Sequence, residues 1–210
     1  MGFIIFLVVI VVIAALLIAA YNGLVRLRVR ADSSWSDIDV QLKRRHDLIP
    51  NLVNTVKGYA EHEQSTLEAV TNARAQVGKI TLTTDDLNDE AKMKAFQQAQ
   101  GELSGALSRL MAVSENYPNL KADSLFQTLQ AQLEGTENRI AVARNRYISS
   151  VQDYNVLVRS FPQNLTAKMF GYSTKANFTV ENEKQISTAP TVDFGKPAAP
   201  PAQPPKQPQN

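Results

Sequence analysis

The chain contains no cysteine and only two histidines, His46 and His62. The absence of cysteine excludes disulfides, thiol nucleophiles and cysteine-liganded zinc, and two histidines are too few for a histidine-rich metal site. The sequence signatures of phosphate-binding loops, zinc proteases and serine hydrolases are also missing. Carboxylates are scattered, without a pair whose spacing suggests a general acid and a general base. The sequence therefore predicts no catalytic residues, no cofactor and no metal, and a protein that is not an enzyme.

Charge is nearly balanced over the 210 residues, with 22 basic and 20 acidic side chains and a formal net charge of +2. Nucleic-acid-binding domains carry a clear basic excess, so we expect no nucleic-acid partner. The basic excess is instead local, because residues 22–58 hold seven basic and four acidic side chains. This length suffices for one domain with its own core.

The longest apolar run covers residues 3–20, which are 18 consecutive uncharged positions. At about 1.5 Å per residue, such a helix is nearly as long as the hydrocarbon core of a bilayer is thick. A cleaved signal peptide is the alternative, because Ala19 and Ala20 resemble a cleavage region. Signal peptides begin with positive charge, however, and none precedes this run. We predict that residues 1–21 are an uncleaved transmembrane anchor.

Three arginines, Arg26, Arg28 and Arg30, follow the apolar run directly. Basic residues next to a membrane span tend to stay in the cytoplasm. They predict a single-pass protein with its N-terminus outside and its main domain in the cytoplasm. The same arginines allow an alternative role as lipid headgroup contacts, worth about 1 kcal/mol each near anionic lipid.

Helical periodicity follows the anchor. We predict one long helix over residues 24–78, a second that ends before Pro118, and a third that begins at Asp123 or Ser124 and is stopped by Pro162. Thr84 or Asp85 is the expected cap of the second helix. The outer face of the third helix is expected to be solvated. Its charged residues are Glu137, Arg139, Arg144, Arg146, Asp153 and Arg159.

Long amphipathic helices joined by short turns can bury their apolar stripes only against one another. The predicted fold is all-α, an up-and-down antiparallel bundle of three long helices, or of four if Gly58 breaks the first. One or two further helical turns are expected within residues 165–170, followed by extended strips at Phe178, Val180, Val192 and Phe194. The bundle domain is expected over residues 22–195, and the proline-rich residues 196–210 are expected to form a disordered tail.

One segment of the first helix breaks the amphipathic pattern. Residues 43–47 are all charged or titratable, and Pro50 follows within the same helical repeat. Proline removes one helical hydrogen bond and frees the carbonyl of His46, so we predict a kinked single helix. The repeat turns Arg45 or His46 inward, where a polar group needs a partner. The partners considered are Asp47, Asp153 or a glutamate on a facing helix.

Two interpretations of this segment remain open. A buried charge can fix the register of packed helices, which is a well-attested use of such groups. Alternatively, the kink and the charges form a docking notch with Arg44 and Asp47 facing outward. The candidate interaction or register residues are Arg44, Arg45, His46, Asp47 and Pro50.

Several segments resemble LemA family proteins of bacteria: YNGLVRLRVR after the anchor, RRHDLIPNLV around Pro50, and TENRIAVAR in the third helix. The resemblance covers about residues 20–195, and the proline-rich tail is particular to this chain. It implies an all-α bundle on a single anchor in the bacterial inner membrane, in a family without an established activity. It also implies a context of membrane-protein quality control or membrane remodelling, and it supplies no catalytic residues.

These observations favour a non-enzymatic scaffold or adaptor that binds an unidentified protein partner at the membrane. One alternative is a regulatory subunit of a membrane enzyme such as a metalloprotease. Another is a module that binds an anionic lipid surface. A homo-oligomer is also left open.

Overall fold

A computed structural model describes residues 1–60 and 62–178. All regular structure within these residues is helical, as predicted. A short 3₁₀ turn, Asp86–Asn88, precedes the third helix. The α-helices are α1 (Gly2–Tyr59), α2 (Gln64–Lys79), α3 (Glu90–Ser114), α4 (Pro118–Ala122), α5 (Ser124–Arg159) and α6 (Gln163–Met169).

Helix α1 runs without interruption from the apolar N-terminal segment through Pro50 to Tyr59. Its first part is solvent-exposed, and by length and composition it is the one helix in the described residues that could cross a membrane. From Leu24 onward the helix buries a side chain at every third, fourth or seventh position, in the stripe Leu24, Ala31, Trp35, Ile38, Leu42, Arg45, Ile49, Leu52 and Val56. The apolar segment and the first helix of the bundle are thus one continuous helix.

The prediction of one helix over residues 24–78 is wrong. The chain leaves the helix at Ala60, whose φ of −129° and ψ of 54° are not helical, and α2 begins at Gln64. Gly58 weakens the end of α1 because glycine is a poor helix former. Folding back also buries Leu67 and Val70 of α2 in the core, which a straight helix would expose. The four-helix alternative applies, with α1, α2, α3 and α5 as its long helices.

Helix α1 packs mainly on α5, and α2 packs mainly on α3. The α1–α5 pair is antiparallel. Near the anchor, Ser34 Oγ lies 3.0 Å from Ser150 Oγ, and farther along α1 Arg45 meets Glu137. One apolar cluster joins all four long helices through residues that include Ile49, Leu52, Val56, Leu67, Val70, Leu103, Leu107, Leu110, Phe126, Leu129 and Leu133.

Aspartates begin both of the later long helices. Asp123 caps α5 by accepting a hydrogen bond from the backbone N of Phe126 at 2.8 Å, in agreement with the predicted start. The predicted cap of α3 at Thr84 or Asp85 is wrong, because Asp89 caps that helix by accepting from the backbone N atoms of Ala91 and Lys92. The residues between the predicted cap and Asp89 form the 3₁₀ turn, so α3 begins later than predicted. Local propensity does not show that these residues prefer a 3₁₀ turn to the start of the α-helix.

Residues 172–178 form a non-helical strap along α1 and α5. Asn155 donates from Nδ2 to the carbonyl of Lys175 at 2.8 Å and accepts from its backbone N at 2.8 Å. The Tyr147 hydroxyl donates to the carbonyl of Ala176 at 2.9 Å. Phe178 packs against the ring of Tyr147, so the extended segment expected there is found. Val180, Val192, Phe194 and the tail at 196–210 lie outside the described residues.

We expect part of the stability of the fold to depend on pH, because the carboxylate of Asp86 is stabilised in its charged form. Its carboxylate contacts Lys92 Nζ and accepts hydrogen bonds from Thr83 N and Thr83 Oγ1 at 2.9 and 2.7 Å. These contacts, that of Lys92 first, hold the pKa of Asp86 well below its usual value. The pKa is lower in the folded than in the unfolded chain, so the stabilisation is present above about pH 4 and is lost as the pH falls towards the folded pKa.

Urea unfolding of the parent and of Asp86→Asn, both in detergent micelles, measures this effect. The parent should be the more stable protein at pH 6, and its advantage should shrink as the pH is lowered below about 4. A constant difference in stability over the whole pH range would show that the charge of Asp86 plays no part.

Candidate functional site

Arg45 lies in the middle of the bundle, and only 2% of its surface is exposed. Its Nη1 donates to Ser104 Oγ on α3 at 3.0 Å and to Glu137 Oε1 on α5 at 2.8 Å. Its Nη2 donates to Gln100 Oε1, also on α3. A guanidinium fork suits this arrangement because it presents several donors in one plane. One side chain of α1 therefore joins α1, α3 and α5.

The surroundings of Arg45 balance its charge only in part. Glu137, its counter-ion, is 39% exposed at the side chain and remains partly hydrated. Gln100 is buried and supplies a neutral acceptor. A buried charge is tolerated only when it is paired and hydrogen-bonded. The two terminal nitrogens of Arg45 meet that need on α3 and α5, whereas its buried Nε has no hydrogen-bond partner among the described residues.

Of the two residues considered for the inward position, Arg45 occupies it, and its acidic partner is a glutamate on a facing helix. The expected solvated face describes Glu137 only in part, because its carboxylate is partly exposed and also pairs with Arg45. Helical periodicity placed Glu137 next to the inward-facing Thr136, and that border position lets its carboxylate reach Arg45. An arginine without a partner in an apolar stripe was visible in the sequence. The sequence did not indicate which glutamate would form the ion pair with it.

Pro50 stays within α1. It has no N–H to donate to the carbonyl of His46, and that carbonyl accepts a hydrogen bond from another residue instead. Arg74 of α2 donates from Nε to the carbonyl of His46 at 3.1 Å. Its Nη2 lies 3.3 Å from His46 Nδ1. The return of α2 along α1 therefore replaces the hydrogen bond that proline removes. Sequence reasoning missed Arg74 because it assigned that residue to the continuation of α1.

Arg44 and Asp47 are both exposed on the outer side of α1. His46 is about one-third exposed and lines a cleft of about 200 Å³ that is formed by α1, the end of α2, the segment after it, and α3. Its Nδ1 is 3.7 Å from Asp47 Oδ1. The structure thus separates the charged segment into an inward residue, Arg45, and an outward group.

A groove with a volume of about 540 Å³ lies between α3 and α5. Ser104 and Glu137, the two groups that share Arg45 Nη1, both line it. The remaining lining residues are Leu107, Ser108, Met111, Leu133, Glu134 and Asn138. Sequence reasoning did not find this groove, because the spacing of two helices distant in sequence follows from the packing of the whole core.

The arginines after the apolar run are partly engaged by the bundle. Arg28 pairs with Asp32 at 3.8 Å, and its guanidinium carbon lies 5.6 Å from the centre of the Tyr172 ring. Arg30 lies 3.9 Å from Asp153. Arg26 is exposed, and none of the described acidic residues forms an ion pair with it. The three candidate lipid-facing arginines are therefore not equally free.

Comparison with known proteins bears on the family. The model of the LemA family matches residues 34–194, which include the Arg45 network and the groove. The chain belongs to the LemA family. This confirms the resemblance seen in the segments around Pro50 and in α5, and the segment directly after the anchor lies before the matched range.

Three relatives of this LemA family chain show the range of similarity. Magnetosome protein MamQ of Magnetospirillum gryphiswaldense is 27% identical over 84% of this chain and 70% of its own length. Magnetosome protein MamQ 2 of Paramagnetospirillum magneticum is 26% identical over 87% and 72%. Protein LemA of Metamycoplasma hominis is 22% identical over 79% and 71%. A membrane-associated helical protein is consistent with these relatives and with the apolar segment of α1.

Proposed function

We propose that this LemA family protein is a membrane-anchored, non-enzymatic scaffold or adaptor that binds a partner protein in the groove between α3 and α5. The groove itself is the observation that carries the proposal. Leu107 and Leu133 are buried core residues that line it, Met111 beside them is partly exposed, and polar side chains surround these three. Grooves with this composition bind the apolar face of amphipathic helices.

The charges of the groove define the partner more closely. Glu134 and Glu137 are its acidic groups, and Arg45 already pairs with Glu137. Glu134 is exposed, so a basic side chain of the partner can approach it without desolvating a buried ion. The expected partner segment is a helix with apolar residues at three- and four-residue spacing and lysine or arginine beside them. Met111 adds an adaptable surface for such residues.

Arg45 holds the two walls of this groove in register, since it binds one residue of each wall. The outward Arg44 and Asp47 belong to the second interpretation, a docking notch on α1, with Pro50 shaping the notch. The double variant Arg44→Ala with Asp47→Ala, tested in cells, distinguishes the notch from the groove. Full function with intact folding would remove the notch and leave the groove as the docking surface.

We propose a single membrane crossing by residues 1–21, in the bacterial inner membrane, with the bundle in the cytoplasm. The arginines after the span support this orientation. A C-terminal reporter that is active only in the cytoplasm should work, and one that is active only outside should fail. The reverse pattern would place the bundle outside.

A regulatory subunit of a membrane enzyme would use the same groove, and the identity of the bound partner separates this alternative from a scaffold. The arginine-based lipid module has weaker support. Arg28 and Arg30 already face acidic residues of the bundle, which leaves Arg26 as the freest of the three.

Photo-crosslinking in living cells tests the groove. A photoreactive amino acid at Ser108 lies on the groove, and the same amino acid at the exposed Glu102, also on α3, is the matched control. We expect one discrete adduct from position 108 and none from position 102. The same pattern of adducts from both positions would count against a partner in the groove. A second copy of the chain in the adduct would indicate a homo-oligomer.

A further inference from the structure

Helix α6 lies beside the end of the apolar run of α1. The ring of Phe170, directly after α6, is 4.8 Å from the ring of Tyr21 between centroids. The buried Ala167 of α6 packs in one cluster with Leu24 of α1 and Tyr154 of α5. The position of α6 along α1 is therefore fixed by core contacts on its inner side.

The outer side of this region carries an unusual concentration of exposed apolar side chains. Beyond residue 21, ten large apolar residues of the described chain are exposed, and four of them fall within residues 161–170. The exposed fractions are 79% for Phe161, 57% for Leu165, 63% for Met169 and 54% for Phe170. Soluble surfaces carry such residues singly, and a contiguous patch marks a binding surface.

The level of this patch relative to the membrane follows from the continuity of α1. The apolar residues 3–20 form a helical length of about 27 Å, close to the thickness of the hydrocarbon core. Tyr21 then falls at the membrane–water interface, where tyrosine is enriched in membrane proteins. Phe170, in contact with Tyr21, lies at the same level, and the outer side of α6 with it.

We infer that Phe161, Leu165, Met169 and Phe170 form a membrane seat, a second contact in which these side chains insert at the boundary between the headgroups and the acyl chains. The inference rests on the membrane crossing proposed above. Arg159, at the end of α5, and Lys168, between Leu165 and Met169, are exposed and are suited to anionic headgroups. The lipid is the expected occupant because Phe170 of the patch contacts Tyr21 at the end of the apolar run.

Burial of the seat would fix the tilt of the bundle on the bilayer. A single helix crossing leaves the attached domain free to lean, whereas a second contact beside it removes that freedom. The seat would thereby hold the α3–α5 groove in a constant orientation relative to the membrane surface.

Spin labels on the full chain test the seat. Since the chain has no cysteine, Leu165→Cys, Leu125→Cys and Ile10→Cys each introduce a single thiol. Leu125 is the matched control, because it is 56% exposed and begins α5, at the end opposite to α6. The labelled proteins are reconstituted in vesicles of phosphatidylethanolamine and phosphatidylglycerol. Collisions with oxygen, which partitions into lipid, are compared with collisions with a water-soluble nickel complex.

The seat predicts an oxygen-to-nickel collision ratio at position 165 several-fold above that at position 125 and closer to that at position 10. A ratio at 165 equal to that at 125, with position 10 in lipid, would overturn the seat and leave the membrane crossing intact. Protection of position 165 from both reagents would also overturn it, in favour of a second copy covering the patch. A water-exposed position 10 would overturn the membrane crossing and the seat together.

Discussion

Replacing Arg45 by alanine is expected to lower the free energy of unfolding by about 2–4 kcal/mol, because it removes the donor of the buried Gln100 and of the half-buried Ser104 on α3. Gln100 is buried, and its side-chain oxygen would lose the donor that it has in the parent. The partial exposure of Glu137 limits the loss, since water can rehydrate that carboxylate. Urea unfolding of the full chain in detergent micelles, followed by circular dichroism, gives the difference directly.

Arg44→Ala is the matched control for Arg45, because it removes the same side chain from the neighbouring exposed position. Its effect should stay within about 0.5 kcal/mol, as for other surface substitutions. Arg45→Lys should lose part of the stability, since an ammonium cannot reproduce the fork that reaches Ser104, Gln100 and Glu137. Equal stabilities for Arg45→Ala and Arg44→Ala would contradict a register role for Arg45.

Trp35→Ala is expected to cost about 3–5 kcal/mol, a typical loss for a large aromatic side chain removed from a core. Trp35 is 4% exposed, and its ring centroid lies 5.3 Å from that of Phe96 on α3 and 5.6 Å from that of Tyr147 on α5. Phe178 of the strap stacks on Trp35, with the ring centroids 6.5 Å apart. The substitution therefore removes contacts that join α1, α3, α5 and the strap.

Trp35→Phe keeps an aromatic ring at this position and should lose clearly less stability than Trp35→Ala. Circular dichroism is the appropriate signal, because Trp35 is the only tryptophan and its removal also removes the intrinsic fluorescence probe. A Trp35→Ala protein that unfolds within about 1 kcal/mol of the parent would contradict the packing of the strap and three helices around this ring.

The sequence predicted those parts of the fold that depend on local pattern. Periodic apolar residues marked the buried stripes of α1, α3 and α5, and Asp123 marked the start of α5. The end of α1 was missed because no strong stop signal follows Gly58. The chain turns back because this buries Leu67 and Val70, which lowers the free energy of the fold. That burial depends on residues of α3 and α5 far along the chain.

The candidate site, too, was predicted only in part from the sequence. An arginine in an apolar stripe and a proline in a helix were visible as anomalies, and both required partners. The partners, Glu137 for Arg45 and Arg74 for the carbonyl of His46, come from other helices and depend on the turn after Tyr59. The groove depends on the distance between α3 and α5, which no local pattern specifies.

A partner helix with basic residues, bound in the α3–α5 groove, should crosslink to a photoreactive residue placed there. The decisive measurement is the crosslinking yield from a photoreactive residue at Asn138, which also lines the groove and leaves Glu134 in place, with Ser108→Arg compared with Ala95→Arg. Both substitutions place the same charge at an exposed position of α3, but only Ser108 lines the groove. We expect the yield to fall about tenfold for Ser108→Arg, which corresponds to about 1.4 kcal/mol of binding energy, and to stay unchanged for Ala95→Arg. Equal yields from the two proteins, with the bundle folded in both, would contradict binding of the partner in the groove.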